Sequence, residues 1–571
     1  MHYHLLSVLF TLAAVILCCL ATPHWDDLRA KHAWKCLGLP PAGTVINFHI
    51  ALKPRRENAL IKALYEVSSP GHPKQEEVAG LVVPHPYTLK LVNSWLKYHG
   101  VPSSVSLTHG GNWLTLTGVS VSKANDLLGA SYRLYRHTET NETIVRTIDY
   151  SLPVVLHPHV QTVAPTTYFA SPRMSWQTPR KRDGGAAAGL VKATSGDLVT
   201  ALSRRDDSDD DDDDENVSPP MLHWLYKTAT YVPAATDRNK LGIAGYVGEY
   251  PNPTDLKKFM KRFHSSGTEA TYTVVQVNNG GYDPTNPGLE ATTDVQYASG
   301  MVHPTPITYY SVGEGPQGET DPYLSWLDYM LSLNDIPQTI STSYANYETD
   351  YALDHARAAC DLFMQLGARG VSVLFASGDK GVGADCVTDG KVRFRPIFPA
   401  SCPWVTTVGG TTDFWPEIAA GLSGGGFSDY FKRPDYQNEA VTTFFENFGN
   451  TYRGLYNDSG RGFPDIAAQA YNIGIIYRNK YTVVHGTSCA TPIVAGIISL
   501  LNDYRISQGR RPLGFLNPWL YGIARAGLND ITSGSNPGCN TGGFPAIVGW
   551  DPVTGLGSVD FQRLQRLLPL A

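Results

Sequence analysis

From Pro220 onward the chain alternates short apolar runs that read as strands with longer segments of helical apolar spacing, and this alternation constrains the fold more than any other feature. LGIAGYVG, TYTVVQVN, VSVLFASG and PWVTTVGG are strand-like, whereas DPYLSWLDYMLSL and ALDHARAACDLFMQLGARG are helical. Sustained over about 350 residues, the pattern predicts an α/β fold, a parallel sheet with helical crossovers on both faces. Chemistry in such sheets gathers where strands end and loops begin. VLFASGDKGVG and VVHGTSCATP are two such transitions, and the second leads into the apolar helix PIVAGIISLLNDY.

The residues before this region follow another pattern. From 25 to about 175, NALIKALYEV and TLKLVNSWLKYHG have helical spacing while VSLTHGGNWLTLTGVSV alternates, which predicts a small α+β unit. Arg204 to Glu215 holds eight aspartates and one glutamate and, with PRKRDGGAAAG before it, is too polar to form a core. It reads as a linker, in which Lys181-Arg182 and Arg204-Arg205 are either processing sites or solvated charge. The overall charge of −6 divides along the same boundaries, as +7 over residues 22–203, −7 over 204–215 and −6 over 216–571. The larger unit is therefore not basic, which argues against nucleic-acid binding, and there is no Gly-Lys-Ser/Thr phosphate loop.

The apolar run Leu5–Leu20, with small residues at Cys19 and Ala21, predicts a secretory signal over 1–21, a signal anchor being the alternative. The expected location is extracellular, with no membrane association once the signal is removed. Asn141, Asn216 and Asn457 head glycosylation sequons. Cys18 and Cys19 leave with the signal and Cys36 stands alone before the linker, so of Cys360, Cys386, Cys402, Cys489 and Cys539 at least one stays unpaired.

His485-Gly-Thr-Ser488-Cys-Ala-Thr-Pro492 places a serine between a glycine turn and a helix start, where its hydroxyl can meet a carbonyl carbon and nearby N–H groups the developing oxyanion. No His-Gly-Thr-His segment supplies a base, and His485 reads as a turn residue. The alternative base is a carboxylate. Glu290 and Asp294 stand four apart on one predicted helical face, where two acids repel when both are ionised and so share a proton. Asp379, in Ser377-Gly378-Asp379 after an apolar strand, can donate a hydrogen bond to an oxyanion if a desolvated cleft holds it protonated.

Glu290-x-x-x-Asp294, Ser377-Gly-Asp379, Phe398-Pro-Ala400, Val408-Gly-Gly-Thr411, Gly424-Gly-Gly-Phe-Ser428 and Gly486-Thr-Ser488-x-Ala-x-Pro492 occur in the order of the sedolisins, the serine-carboxyl peptidases, which the chain resembles over nearly its whole length. The phrases around Gly367–Asp379 and Leu513–Tyr521 look most like secreted fungal tripeptidyl peptidases. The resemblance implies a subtilisin-like peptidase domain over 218–571, a ferredoxin-like activation domain over 22–175 and a linker over 176–217. It gives Ser488 the role of nucleophile, Glu290 of base and acid, Asp294 of its partner and Asp379 of oxyanion donor. It further implies one calcium ion at Asp530, Ile531, Ile547, Gly549 and Asp551, Ile547 standing where the family often has glycine.

A Cys386–Cys539 disulfide also follows from the resemblance, with Cys360 or Cys402 as competing partners. Ser343-Tyr-Ala345-Asn346 departs from the common Ser-Tyr-Gly, and the added methyl narrows the expected substrate groove. The function expected is that of a secreted monomeric zymogen acting at acidic pH. It would release tripeptides from peptide N-termini, with its own activation domain as inhibitor and chaperone; an endopeptidase of the same family is the alternative. More distant readings are an esterase using Ser423 in Gly421-x-Ser423-x-Gly425 and an inactive secreted pseudo-peptidase. The basic front domain docked on an acidic domain suggests release on acidification.

Overall fold

The computed structural model describes residues 34–174 and 216–568, apart from 57, 67–74, 102–106, 109–110, 139–140, 142, 170–172, 265–266, 268, 314–320, 385 and 389. The expected signal, both dibasic pairs and the linker as far as residue 215 lie outside the described residues.

In the N-terminal unit, strand Val45–Leu52 runs between Trp113–Ser120 and Val160–Ala164, antiparallel to both. Side chains of a strand alternate between faces, and here each face meets a different partner. Ile46, Phe48 and Ile50 pack with Val92, Trp95 and Leu96 of helix Pro86–Tyr98 and with Leu127 and Leu128 of helix Val121–Leu128. The intervening Asn47 and His49 line a cavity with Ser325, Asp328 and Tyr329 of the C-terminal unit, whose core Ala51 joins. An antiparallel sheet with helices on one face agrees with the ferredoxin-like expectation; a second small sheet, of Trp34–Gly38, Arg133–His137 and Thr143–Arg146, is added to it.

The C-terminal unit is built on one large sheet: β1 (Leu241–Gly245), β2 (Tyr272–Val277), β3 (Ile307–Val312), β4 (Thr339–Thr342), β5 (Ser372–Ala376), β6 (Thr406–Thr412), β7 (Ile466–Gln469), β8 (Leu528–Asn529) and β9 (Ser558–Val559). Their order is β8-β9-β7-β6-β5-β4-β1-β3-β2, parallel except at β8–β9, with Ile418–Ala419 antiparallel beside β6. Every residue of β1, β4 and β5 is buried, as helices on both faces require. Leu374 faces the core that contains α1 (Leu289–Val302), whereas Val373 and Phe375 face the core of α2 (Pro322–Ser332) and α3 (Leu353–Ala368). The long helix α4 (Thr487–Ser507) packs along α1.

Away from the cavity beside Asn47 and His49, the units also meet through apolar and ring contacts. Leu60, Leu64, Val78 and Val82 pack on Met364, Ala368 and Phe515, and Tyr168 stacks on His355 with ring centroids 4.8 Å apart. Polar links between the units include those from Tyr150 Oη, which donates to Asp354 at 3.3 Å, and from Gln161 Nε2, which donates to Asp361 at 2.9 Å. Disulfides join Cys386 to Cys539 and Cys360 to Cys402, the two competing cysteines pairing with each other, while Cys36 and Cys489 are thiols. Among the described residues no helix is long and apolar enough to cross a membrane.

Candidate active site

The chain reverses its direction of sheet growth at β1, and the groups singled out by sequence meet at the carboxyl ends of the strands beside that point. Glu290 and Asp294 lie on the first turns of α1 and are wholly buried. Ser488 is the second residue of α4, and Asp379 follows the end of β5; both are buried. Thr487 fastens the last two elements together. Its N–H and hydroxyl donate to Asp379 Oδ1 at 2.7 and 2.8 Å, and its hydroxyl accepts from the Gly378 N–H at 3.0 Å. A Cβ at position 486 would lie 2.8 Å from Asp379 Oδ2, so the close approach of this turn requires Gly486.

Burial governs the electrostatics. Desolvation, then the charges of Asp294, Glu249 and Asp379, push the Glu290 carboxyl well above its usual range, against the pull of the facing Ser488 hydroxyl. Asp294 is pushed up by burial and accepts from Ser343 Oγ at 2.9 Å, the Ser488 carbonyl lying 3.4 Å from the same hydroxyl. Burial raises Asp379 to about 7, with the Thr487 donors and Lys380 opposing. Glu249, from the loop after β1, accepts the N–H groups of Glu290 and Ala291 at 3.0 and 3.4 Å. Neither Glu249 nor the role of Ser343 was reached from the sequence, because both contacts span more than 40 residues and depend on the order of strands in the sheet.

The histidines of this domain are engaged elsewhere. His485 Nδ1 accepts from the Asn472 N–H at 2.9 Å, His355 pairs with Asp321 at 3.2 Å, His223 holds Thr228 and the Gly300 carbonyl, and His264 packs on His303. The rival Ser423 donates to the Val553 carbonyl at 2.7 Å and accepts from the Gly410 N–H at 2.9 Å in a buried turn that no helix follows, so it forms no nucleophile elbow.

A cavity of about 200 Å³, lined by Ala345, Asn346, Tyr347, Asp379, Arg395 and Gly424 among others, adjoins the site. At its edge Arg173–Met174 of the N-terminal unit pairs antiparallel with Tyr344–Ala345, laying an extended backbone beside the cavity.

At the other end of the sheet, Asp551 is buried and accepts N–H groups from Val553, Thr554 and Ile547 at 3.0, 2.9 and 3.1 Å, and Asp530 accepts that of Gly549 at 2.8 Å. The Ile547–Gly549 loop thus joins the two carboxylates, and buried Ile531 follows Asp530. Desolvation raises both, Asp551 to about 8. Among the described residues no group of three His, Cys, Asp or Glu side chains converges, so a cation here would take most of its ligands from carbonyl oxygens. Of the sequons, Asn141 is exposed, Asn216 is half-buried, and Asn457 donates its amide to the Ser428 carbonyl at 2.8 Å.

Residues 32–169 match the model of the pro-kumamolisin activation domain and residues 262–509 that of the subtilase family. The chain is 36% identical to tripeptidyl-peptidase SED2 of Arthroderma otae over 95% of each chain, and 35% identical to the probable tripeptidyl-peptidase SED3 of Trichophyton verrucosum, again over 95% of each. Among solved structures, Pseudomonas sedolisin complexed with pseudo-iodotyrostatin aligns at a TM-score of 0.49 and 23% identity over 62% of this chain and 97% of that one. The protein is a serine-type peptidase that acts on peptides and carries its own inhibitory propeptide, and it belongs to the sedolisin family of serine-carboxyl peptidases.

Proposed function

We propose that this zymogen matures into a secreted, acid-acting tripeptidyl-peptidase that works through an acyl-enzyme at Ser488. The observation that carries the reading is the meeting of Ser488 with three buried carboxyls and no histidine. Glu290 takes the Ser488 proton as the hydroxyl oxygen bonds to the substrate carbonyl carbon, and Asp294 holds and tunes Glu290 by sharing a proton with it. Asp379, protonated, donates to the oxyanion. As the tetrahedral intermediate collapses, Glu290 passes its proton to the leaving amine, and water then repeats the sequence on the ester. The preference for free N-termini draws support from the tripeptidyl-peptidase relatives. Comparing a peptide with its N-acetylated form tests it: cleavage of the free peptide alone agrees, and equal cleavage means endopeptidase action.

Calcium belongs to the same proposal. Asp530 and Asp551, with carbonyls of Ile531, Ile547 and Gly549, would hold it, and a buried carboxylate such as Asp551, without a cation in its hydrogen-bond set, suits a divalent ion. Its contribution is to neutralise and fix the loop, not to take part in the reaction. Glycosylation is proposed at Asn141, Asn216 and Asn457, and a signal at 1–21 directs export.

Acid release of the activation domain rests on the opposed charges of the two units. Individual interface groups pull in different directions. Burial lowers the affinity of His49 for a proton, so acid weakens docking there, whereas Asp361, raised to about 6, is protonated more readily when docked and opposes release.

A further inference from the structure

Helix α1 begins at Gly288, which has no side chain with which to cap the free N–H groups of the first turn. The cap comes instead from Glu249, 41 residues earlier in sequence, through its bonds to Glu290 and Ala291. The Glu249 backbone is itself tied down, its carbonyl accepting from Tyr309 Oη on β3 at 2.7 Å. A Cβ at position 288 would fall 2.3 Å from Glu249 Oε2, so the glycine at the cap position is what admits the carboxylate. A serine or aspartate at 288 would cap a helix equally well. The arrangement found differs in setting a third carboxylate behind Glu290 and Asp294.

We propose that Glu249 is a positioning residue for the Glu290–Asp294 pair: it fixes the turn that carries Glu290 and places a negative charge where it opposes ionisation of both acids at once. This rests on the catalytic roles given above. The groups around Glu249 and the pair are Asp379 after β5, Ser488 and Cys489 on α4, Ser343 after β4, Tyr309 on β3 and Tyr344 beyond β4. The charge of Glu249 contributes to the upward push on Glu290, Asp294 and both tyrosines. Burial also raises Glu249 itself above its usual range, so it is neutral in strong acid and its charge develops only as pH rises.

The test is Glu249→Gln, whose amide oxygen can still cap α1 but carries no charge. Because Asp379 titrates near the same pH, kcat/KM on a tripeptidyl anilide is measured against pH for the full chain after maturation, in the Asp379→Asn background and in the wild type. In that background the alkaline limb should move to lower pH by about half a unit or more, while the acid limb, where Glu249 is already neutral, stays in place. Glu249→Ala, which loses the cap as well, should lose about tenfold more in kcat than Glu249→Gln, with KM little changed. An unmoved alkaline limb, or equal losses in both variants at every pH, would overturn the proposal. Ser488→Ala, assayed in parallel, keeps the readings separate: activity surviving there defeats the catalytic assignment, while an inert Ser488→Ala with an unmoved limb defeats only Glu249.

Discussion

Two fully buried glutamates in the peptidase domain show how the fold treats a carboxylate it uses for structure and one placed for chemistry. Glu348 is pushed up to about 7 by burial, yet it is surrounded by donors: Ser401 Oγ at 2.7 Å, Ser428 Oγ, and the N–H groups of Asp429 and Tyr430 at 2.7 and 3.1 Å. Glu290 suffers the same desolvation, but the donor that faces it is the Ser488 hydroxyl itself, and its neighbours include Asp294 and Glu249, both acids. Glu348 ties the strand Gly426–Lys432 to the segment that lines the cavity with Asn346, Tyr347 and Asp350. The environment of Glu290 suits the base role proposed for it, because a carboxylate held by four donors is a poor acceptor for a serine proton.

The largest effect should come from Ser488→Ala, which removes activity by a factor on the order of 10⁵ or more and leaves the melting temperature nearly unchanged. Ser423→Ala should cost stability and keep catalysis, since both of its bonds are structural. Next is Glu290→Gln, with a loss of about 10³ in kcat. Its stability should change in the opposite sense to its activity. A carboxyl raised in the folded state lowers stability increasingly as pH climbs above its ordinary value of 4.5, so Glu290→Gln should melt higher than wild type at pH 7 and alike at pH 4. Glu348→Ala, by contrast, strands buried donors and should cost about 3 kcal/mol, with the shape of the pH–rate profile retained. If both glutamates behaved alike in these assays, the distinction between them would fail. A smaller effect is expected at the far end of the sheet, where calcium at about a hundred times its dissociation constant should add about 3 kcal/mol of stability, and Asp551→Asn should abolish that response.

Much of this site was legible in the sequence because its members lie in short segments whose chemistry is local. Glu290 and Asp294 share one helical face, and Ser488 and Asp379 each sit at a junction marked by glycine. The α/β class was legible for a related reason, since apolar periodicity is a local property. Contacts made across the sheet were not. Glu249 reaches α1 only because β1 is flanked by β3 and β4, and Ser343 reaches Asp294 only because β4 ends beside α1. The Cys360–Cys402 pairing likewise needed the position of α3 against the turn before β6.

Maturation of the precursor offers a weaker test of the charge division, because His49 and Asp361 respond to acid in opposite senses. Purified precursor should mature faster at pH 4 than at pH 7, and equal rates would make the opposed charges of the domains incidental.

The central claim is that buried carboxyls carry the reaction, Asp379 protonated and the Glu290–Asp294 pair sharing one proton, and the most direct test is the pH dependence of kcat/KM for the mature enzyme on a peptide with a free amino terminus. With Asp379 held at about 7, activity should fall steadily as pH rises through neutrality. A profile that stays flat to about pH 8 would contradict the account.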